Sequence, residues 1–316
     1  MMPQTGSTAA RRGPAPSSSL LRIVRAACID IGSNTTRLLV ASLDGETLVP
    51  HVQERHFTRL GRRCAPGQPL AAEVVEELAE VVAGQARSAR EAGVTTLRAV
   101  ATAALRRVAD GPRVCAAVGE AAGVEVELLS AEEEARLAFA GATWACRDVA
   151  PDAPLGVVDV GGGSSELIVG TRSGGVAWSR SLPLGSGDLA DRHLHEDPPP
   201  HAALDAIRAE IAAALEGVSA PAVTRAVAVG GSATSLARLV GPLLDADTLA
   251  AAVDGLAAVP AERVAAVHEL ALERVRLLPA GILLLAAAAE LMGPLTVAEG
   301  GLREGLVLEQ LAPPAT

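Results

Sequence analysis

The sequence predicts an α/β protein of two related domains that face each other across a cleft, and two observations carry that prediction. The stretch Val157–Val169 reads V-V-D-V-G-G-G-S-S-E-L-I-V, a strand, a turn of three glycines and a second strand. Asp159 ends the first strand, Gly161, Gly162 and Gly163 form a turn that few side chains could follow, and Ser164, Ser165 and Glu166 lead into the second strand. The same design occurs earlier: D-I-G-S-N-T-T-R-L-L-V from Asp30 to Val40 aligns without gaps on Asp159–Val169, with Asp, Gly, Leu and the final Val identical. The offset, 159 − 30 = 129 residues, matches one domain, and a chain of 316 residues suits two.

These hairpins suggest chemistry as well as fold. A glycine turn lets backbone N–H groups converge on one small space, and flanking hydroxyls complete an anion cradle. A carboxylate at the strand end would repel a bare phosphate, whereas a divalent cation between them converts repulsion into a bridge. Two such hairpins across a cleft could grip one phosphoryl group from both sides. Two ordinary glycine hairpins would not need Asp-x-Gly and hydroxyls at matching offsets.

Composition narrows the classes. Apolar residues make up 49% of the chain but aromatics only 1%, with no Tyr, so the core must be Ala, Val and Leu and stacking on bases is disfavoured. The sequence contains no Lys, which excludes Walker-type lysine cradles and Schiff-base chemistry but leaves bidentate Arg–phosphate contacts open. The net charge of −10 argues against nucleic acid as a partner. Cys28, Cys64, Cys115 and Cys146 are scattered singly without zinc spacing, as in a reducing compartment. No signal peptide is evident, and the longest apolar run, Pro279–Ala289, is too short to span a bilayer. A cytoplasmic protein without membrane attachment is expected.

Residues 1–22, rich in Ser, Pro, Ala and Arg without periodicity, are expected to be a disordered tail; the domains are then 23–150 and 151–316, joined at Pro151–Pro154. Strands are predicted at Ala26–Ile31, Arg37–Ser42 and, after the Asp44-Gly45 turn, Thr47–Gln53. Arg55, Arg59, Arg62 and Arg63 follow as a solvated loop or a positive lip to the cleft. Apolar spacing from Leu70 to Ala92 predicts a helix, Val94–Ala101 a strand, and Arg106 and Arg107 start a short helical stretch ended by Asp110-Gly111-Pro112. A further helix to Ala122 and a strand at Val124–Leu129 lead to Ser130-Ala131-Glu132-Glu133, a capping box in which Glu133 reaches back to the cap. Glu134, one position on, is left either at a solvated helix end or free to point elsewhere. Val176–Leu184 is a strand, and His193, His195 and His201 beside Asp188 and Asp191 read as a polar loop or a metal site. A helix over 202–215 and a strand at Val223–Val229 precede Gly230-Gly231-Ser232-Ala233-Thr234, a third glycine-rich turn opening a helix and suited to phosphate through Gly231 and Ser232. Helices over 248–255, 261–276 and 281–292, a strand at 295–298 and a helix over 301–311 complete the chain.

With both hairpins, A-T-A-A-L-R (Ala101–Arg106), L-S-A-E-E-E-A-R (Leu129–Arg136), L-P-A-G (Leu278–Gly281) and G-G-L-R-E-G (Gly300–Gly305), the sequence resembles the exopolyphosphatase/guanosine pentaphosphate phosphohydrolase family over residues 26–311. The resemblance implies two ribonuclease-H-like domains of the actin-like ATPase superfamily, with the active site in the cleft between them. It makes Glu134 the catalytic base and Arg106 a phosphate-binding arginine. It gives Gly32, Ser33, Asn34 and Thr35 to the first phosphate loop, and Gly161, Gly162, Gly163 and Ser164 to the second. Asp159, Glu166 and Asp30 are then the anchors for Mg2+, and a homodimer is a family expectation. The segment Gly185–His195 departs from the usual form, and the chain lacks the extra C-terminal domains of long members.

The reaction so implied is in-line hydrolysis of a terminal phosphoanhydride in inorganic polyphosphate or pppGpp, with Glu134 orienting and deprotonating water. One rival is a small-molecule kinase or ATPase of the same superfamily, using the Gly230–Thr234 turn for a nucleotide. Another is a non-catalytic polyphosphate or alarmone sensor.

Overall fold

The computed structural model describes residues 24–312, and the tail expected over 1–22 lies outside them. In the first lobe the central strand β1 (Arg25–Ile31) pairs with β2 (Thr36–Asp44), which turns into the edge strand β3 (Thr47–His56). Gly45 in that turn has φ 58°, a value that excludes most side chains. Then follow α1 (Leu60–Arg63), α2 (Ala72–Glu91), β4 (Thr96–Ala101), α3 (Ala103–Arg107), α4 (Gly111–Ala122), β5 (Val126–Leu128) and α5 (Ala131–Thr143). The sheet order is β3-β2-β1-β4-β5, with β1 antiparallel to β2 and parallel to β4.

The second lobe comprises β6 (Leu155–Val160), β7 (Ser165–Thr171), β8 (Gly175–Leu182), α6 (Ser186–His193), α7 (His201–Ala214), β9 (Arg225–Val229), α8 (Gly230–Val240), β10 (Leu243–Leu244), α9 (Ala246–Ala258), α10 (Ala261–His268), α11 (Leu272–Met292), β11 (Leu295–Val297) and α12 (Leu302–Leu311). Its order β8-β7-β6-β9-β11-β10 repeats the first sheet strand for strand and adds one short edge strand. Both are ribonuclease-H-like mixed sheets, so the likeness of the two hairpins extends to the whole topology.

The lobes exchange a helix. α5 follows the first sheet but buries Ala135, Ala138, Phe139 and Ala142 against Leu155, Val157 and Ile168 of the second. α12 ends the second lobe but buries Leu302, Leu306 and Val307 against Ala26, Cys28 and Leu39 of the first. A division at 150/151 therefore separates the sheets but not their cores. Strand side chains alternate faces. Asp30 thus lies on the face of Ala26 and Cys28, which α12 covers, and Asp159 on the face of Leu155 and Val157, which α5 covers. Each strand-end acid points to an exchanged helix.

Elsewhere the sequence expectations needed correction. The helix expected over 261–276 is broken at Glu269, which adopts the left-handed conformation (φ 52°), and α11 starts at Leu272. Pro279, which falls between the helices expected over 261–276 and 281–292, lies inside α11, where burial of Leu277, Leu278 and Ala280 carries the helix through the missing N–H. At 21 residues and mean hydropathy 1.8, α11 is long and apolar enough to cross a membrane by composition alone, but it lies in the core of the second lobe. The polar loop expected around His193 is instead the helix α6.

The exchanged helices cross at glycines. A Cβ on Gly141 would lie 2.0 Å from the Gly301 carbonyl oxygen and 2.6 Å from the Gly305 nitrogen, and one on Gly305 would lie 2.0 Å from the Leu137 oxygen. Backbone cannot yield as a flexible side chain can. Gly141→Ala should force the crossing apart and lower the melting temperature by at least about 5 °C, corresponding to about 2 kcal/mol; thermal unfolding followed by circular dichroism checks this.

Candidate active site

The two glycine turns meet tip to tip. A Cβ on Gly163 would sit 2.2 Å from Ser33 Oγ, and one on Gly162 would sit 3.1 Å from Asn34 Cβ. In the hairpin alignment Gly162 corresponds to Ser33 and Gly163 to Asn34, so each contact is the other's counterpart under a local two-fold. None of Gly161, Gly162 and Gly163 has positive φ. The expectation that the turn needs glycine for its backbone angles is therefore corrected: it needs glycine for space. Gly32 and Gly161 also match, each donating its N–H to an oxygen three residues on (Thr35, 3.1 Å; Ser164, 3.0 Å).

Both turns are held from behind by their carbonyls. Ser33 O accepts from Gly61 N (2.8 Å) and Asn34 O from Arg59 N (3.0 Å); Gly161 O accepts from Ser186 N (2.9 Å) and Gly162 O from Gly187 N (3.0 Å). The amides of Ser33, Asn34, Gly162 and Gly163 donate to no backbone acceptor among the described residues. That arrangement leaves donors free for an anion.

A cavity of about 900 Å3 opens between the lobes at this point. Of the residues expected from the sequence, Asp30, Gly32, Ser33, Asn34, Thr35, Glu134, Asp159, Gly161, Gly162, Gly163, Ser164, Glu166 and Gly231 line it. Arg106 and Ser232 do not. Ser232 is buried, its Oγ 2.5 Å from where a Cβ on Gly281 would be, so it serves helix packing rather than the cavity wall. Arg106 stands behind Glu134, donating to Glu134 Oε2 at 2.6 Å and to the Leu129 carbonyl at 3.0 Å. Glu134 keeps only 12% of its side chain exposed, which replaces the solvated helix end with a held carboxylate. Ser130 does cap α5, accepting from Glu133 N at 3.1 Å, but the Glu133 carboxylate pairs with Arg136 instead of returning to the cap.

Charge divides the cavity. Cross-strand partners share a face: Asp30 opposes Arg37, whereas Asp159 opposes Glu166. Burial pushes the Asp30 carboxyl up to about 6, against the pull of Arg303 and Arg37. Asp159 is pushed up to about 7 by burial, with Glu134 and Asp30 adding to it. Glu166 rises well above the usual range through burial, Glu134 and Asp159, although Ser181 Oγ donates to it at 3.0 Å. Burial also raises Glu134, with Arg106 pulling the other way. Burial, with Arg303 and Arg55 nearby, lowers the Arg37 guanidinium to about 9. One wall thus stores unmet negative charge and the other stores positive charge.

The acidic wall offers only carboxylate oxygens, donors for a hard cation. Among the described residues no three His, Cys, Asp or Glu side chains converge into a ready-made metal site. Asp159 and Glu166 therefore fit an ion that completes its shell from phosphate and water, as Mg2+ does.

Several cavity residues were given no role from the sequence: Arg37, Arg274, Arg303 and Glu304. Arg37 was visible as the position matching Glu166, and Arg303 and Glu304 lie inside G-G-L-R-E-G. Arg274, whose guanidinium covers Gly231 at the start of α8, had no sequence signal. Three of the four arginines read as a positive lip are paired, Arg59 with Glu273, Arg62 with Asp191 and Arg63 with Glu77, whereas Arg55 lies on β3. His193 lies 2.8 Å from Glu210, not beside a second histidine ligand.

Gly163→Ala should separate the turns at the Ser33 contact and reduce turnover at least about tenfold while moving the melting temperature less than Gly141→Ala does, because the added methyl meets side-chain atoms of Ser33 and Arg107 at the junction of the turns and not the backbone of a packed helix. Steady-state kinetics with calorimetry measures both.

A model of the Ppx/GppA phosphatase family matches residues 39–313. An uncharacterised protein of Streptomyces coelicolor is 32% identical over 228 residues, covering 69% of this chain and 66% of its own length. Exopolyphosphatase 2 of Mycobacterium tuberculosis is 29% identical over 244 residues, covering 73% of this chain and 75% of its own. The crystal structure of the Aquifex aeolicus Ppx/GppA family member superposes with a TM-score of 0.78 at 28% identity, covering 93% of this chain and 100% of that one. The family match over most of the chain, on two ribonuclease-H-like lobes that close glycine turns around buried acids, establishes that the chain belongs to the Ppx/GppA phosphatase family.

Proposed function

We propose that this chain hydrolyses the terminal phosphoanhydride of inorganic polyphosphate, of pppGpp, or of both, releasing orthophosphate. Family membership supports phosphoanhydride hydrolysis as the reaction class, and the observation that carries it to these residues is the grouping of Glu134, Asp159, Glu166 and both glycine turns around one cavity. The free amides of the two turns hold the terminal phosphoryl oxygens, and Arg37 and Arg303 on the basic wall take the charge of the neighbouring phosphate. Mg2+ held by Asp159 and Glu166, with Asp30 on the other turn, would supply neutralisation of the transferred phosphoryl group. Glu134 accepts the proton of the attacking water; its burial lifts its basicity towards the working pH. Arg106 fixes the orientation of Glu134 through Nη1, which leaves its other guanidinium donors for phosphate.

Separate incubation with polyphosphate, pppGpp and ATP, with orthophosphate measured, tests the proposal. Release from either of the first two supports it, exclusive release from ATP supports a kinase or ATPase, and binding without any release supports a sensor. Glu134→Gln keeps the size of the side chain and removes its basicity, so turnover should fall at least about a hundredfold with substrate binding little changed.

The pH profile follows from the same pair. Activity should fall as pH drops through the raised Glu134 pKa, because the protonated carboxyl cannot accept a proton. Arg106→Gln removes the cation that lowers this pKa, so the acid limb of kcat should move to higher pH. A limb that stays in place would separate Arg106 from the base.

A further inference from the structure

The clasp has a second set of connections behind it, in the segment Gly185–His195. α6 caps the second turn with its first amides, as Ser186, Gly187 and Asp188 all donate backbone N–H groups to Gly161 or Gly162 oxygens. From the first lobe, α1 holds the carbonyl of Ser33 through Gly61 N. Two ion pairs tie α6 to the first lobe, one from α1 and one from α3. Arg62 Nε donates to both carboxylate oxygens of Asp191 at 2.9 Å, but Arg62 is largely exposed, which makes that pair weak. Arg107 Nη1 donates to Asp188 Oδ2 at 2.5 Å, with 25% and 9% of the two side chains exposed.

The second pair lies at the junction of the turns. A Cβ on Gly163 would sit 2.9 Å from Arg107 Nη2, and one on Gly61 would sit 3.1 Å from Asp188 Oδ1. The Arg107 guanidinium thus rests on the second turn while its own chain belongs to the first lobe, and Asp188 does the reverse against α1. Arg107 Nε is buried with no acceptor, so Asp188 supplies this guanidinium's only side-chain acceptor among the described residues. Neither residue lines the catalytic cavity.

Resting on the phosphohydrolase reading, we propose that Arg107 and Asp188 are positioning residues that hold the two phosphate-binding turns together before substrate arrives. With the pair intact, the free protein is already closed and the amides of both turns are in place. Without it the closed form becomes a minority, and substrate must select it. Apparent affinity then falls by the lost fraction, whereas a saturated enzyme is pulled closed and turns over as before.

The test uses Asp188→Asn, Arg107→Gln, the double variant and Arg107→Lys in the full-length chain, assayed on whichever of polyphosphate or pppGpp the wild type hydrolyses. Each neutral variant should raise KM about tenfold with kcat within about twofold. The double variant should be no worse than the poorer single, and Arg107→Lys should recover most of the loss because it keeps the cation. A fall in kcat at unchanged KM, independent effects that multiply, or unaltered kinetics would each overturn the proposal. Should the wild type release no orthophosphate from either substrate, the phosphohydrolase reading fails by itself. The pair is then judged by small-angle X-ray scattering of the substrate-free proteins: a larger radius of gyration in Arg107→Gln than in wild type retains it, and superimposable curves reject it.

Discussion

Two turns meeting where a further side chain would not fit is the constraint on which this molecule depends. Gly162 and Gly163 let the second turn reach Ser33 and Asn34 of the first, and a side chain at Gly163 would overlap Ser33 and Arg107. Because the turns meet, their amides face one shared space and their carbonyls must find partners elsewhere. α1 and α6 provide those partners, one for each lobe. The cleft is therefore a consequence of closure between two copies of one hairpin, and each copy carries its own support.

Symmetric architecture holds an asymmetric charge distribution. The two hairpins put the same Asp at the same strand position, but the residue opposite is Arg37 in one and Glu166 in the other. The exchanged helices extend the difference: α12 brings Arg303 towards Asp30, and α5 brings Glu134 towards Asp159 and Glu166. Burying like charges together is costly unless something compensates them. A phosphate chain accompanied by a divalent cation has the complementary layout, negative against the arginines and positive against the carboxylates. On the proposed function, binding such a chain would offset the cost of burying these charges.

Helix exchange explains how charges so far apart in the chain are brought together. Had α5 stayed on its own sheet, Glu134 would face Asp30 and not the paired acids of the second hairpin. Glycine contacts at Gly141, Gly301 and Gly305 bring α5 and α12 close enough to cross, and that crossing ties the acidic and basic walls into one unit.

The sequence by itself determined the duplicated hairpins, the strand-end acids and most elements, because these rest on local signals: alternation, helical spacing, the Ser130 cap and glycine turns. Local spacing left Glu134 open, since a carboxylate in the first turn of a helix looks the same whether solvent or Arg106 lies beside it, and only the family resemblance singled it out. The exchange of α5 and α12, the guanidinium of Arg274 over Gly231 and the Arg107–Asp188 pair were decided by tertiary structure alone. Each joins residues tens to hundreds of positions apart, and pattern along a chain carries no information about which distant surface a given face will meet.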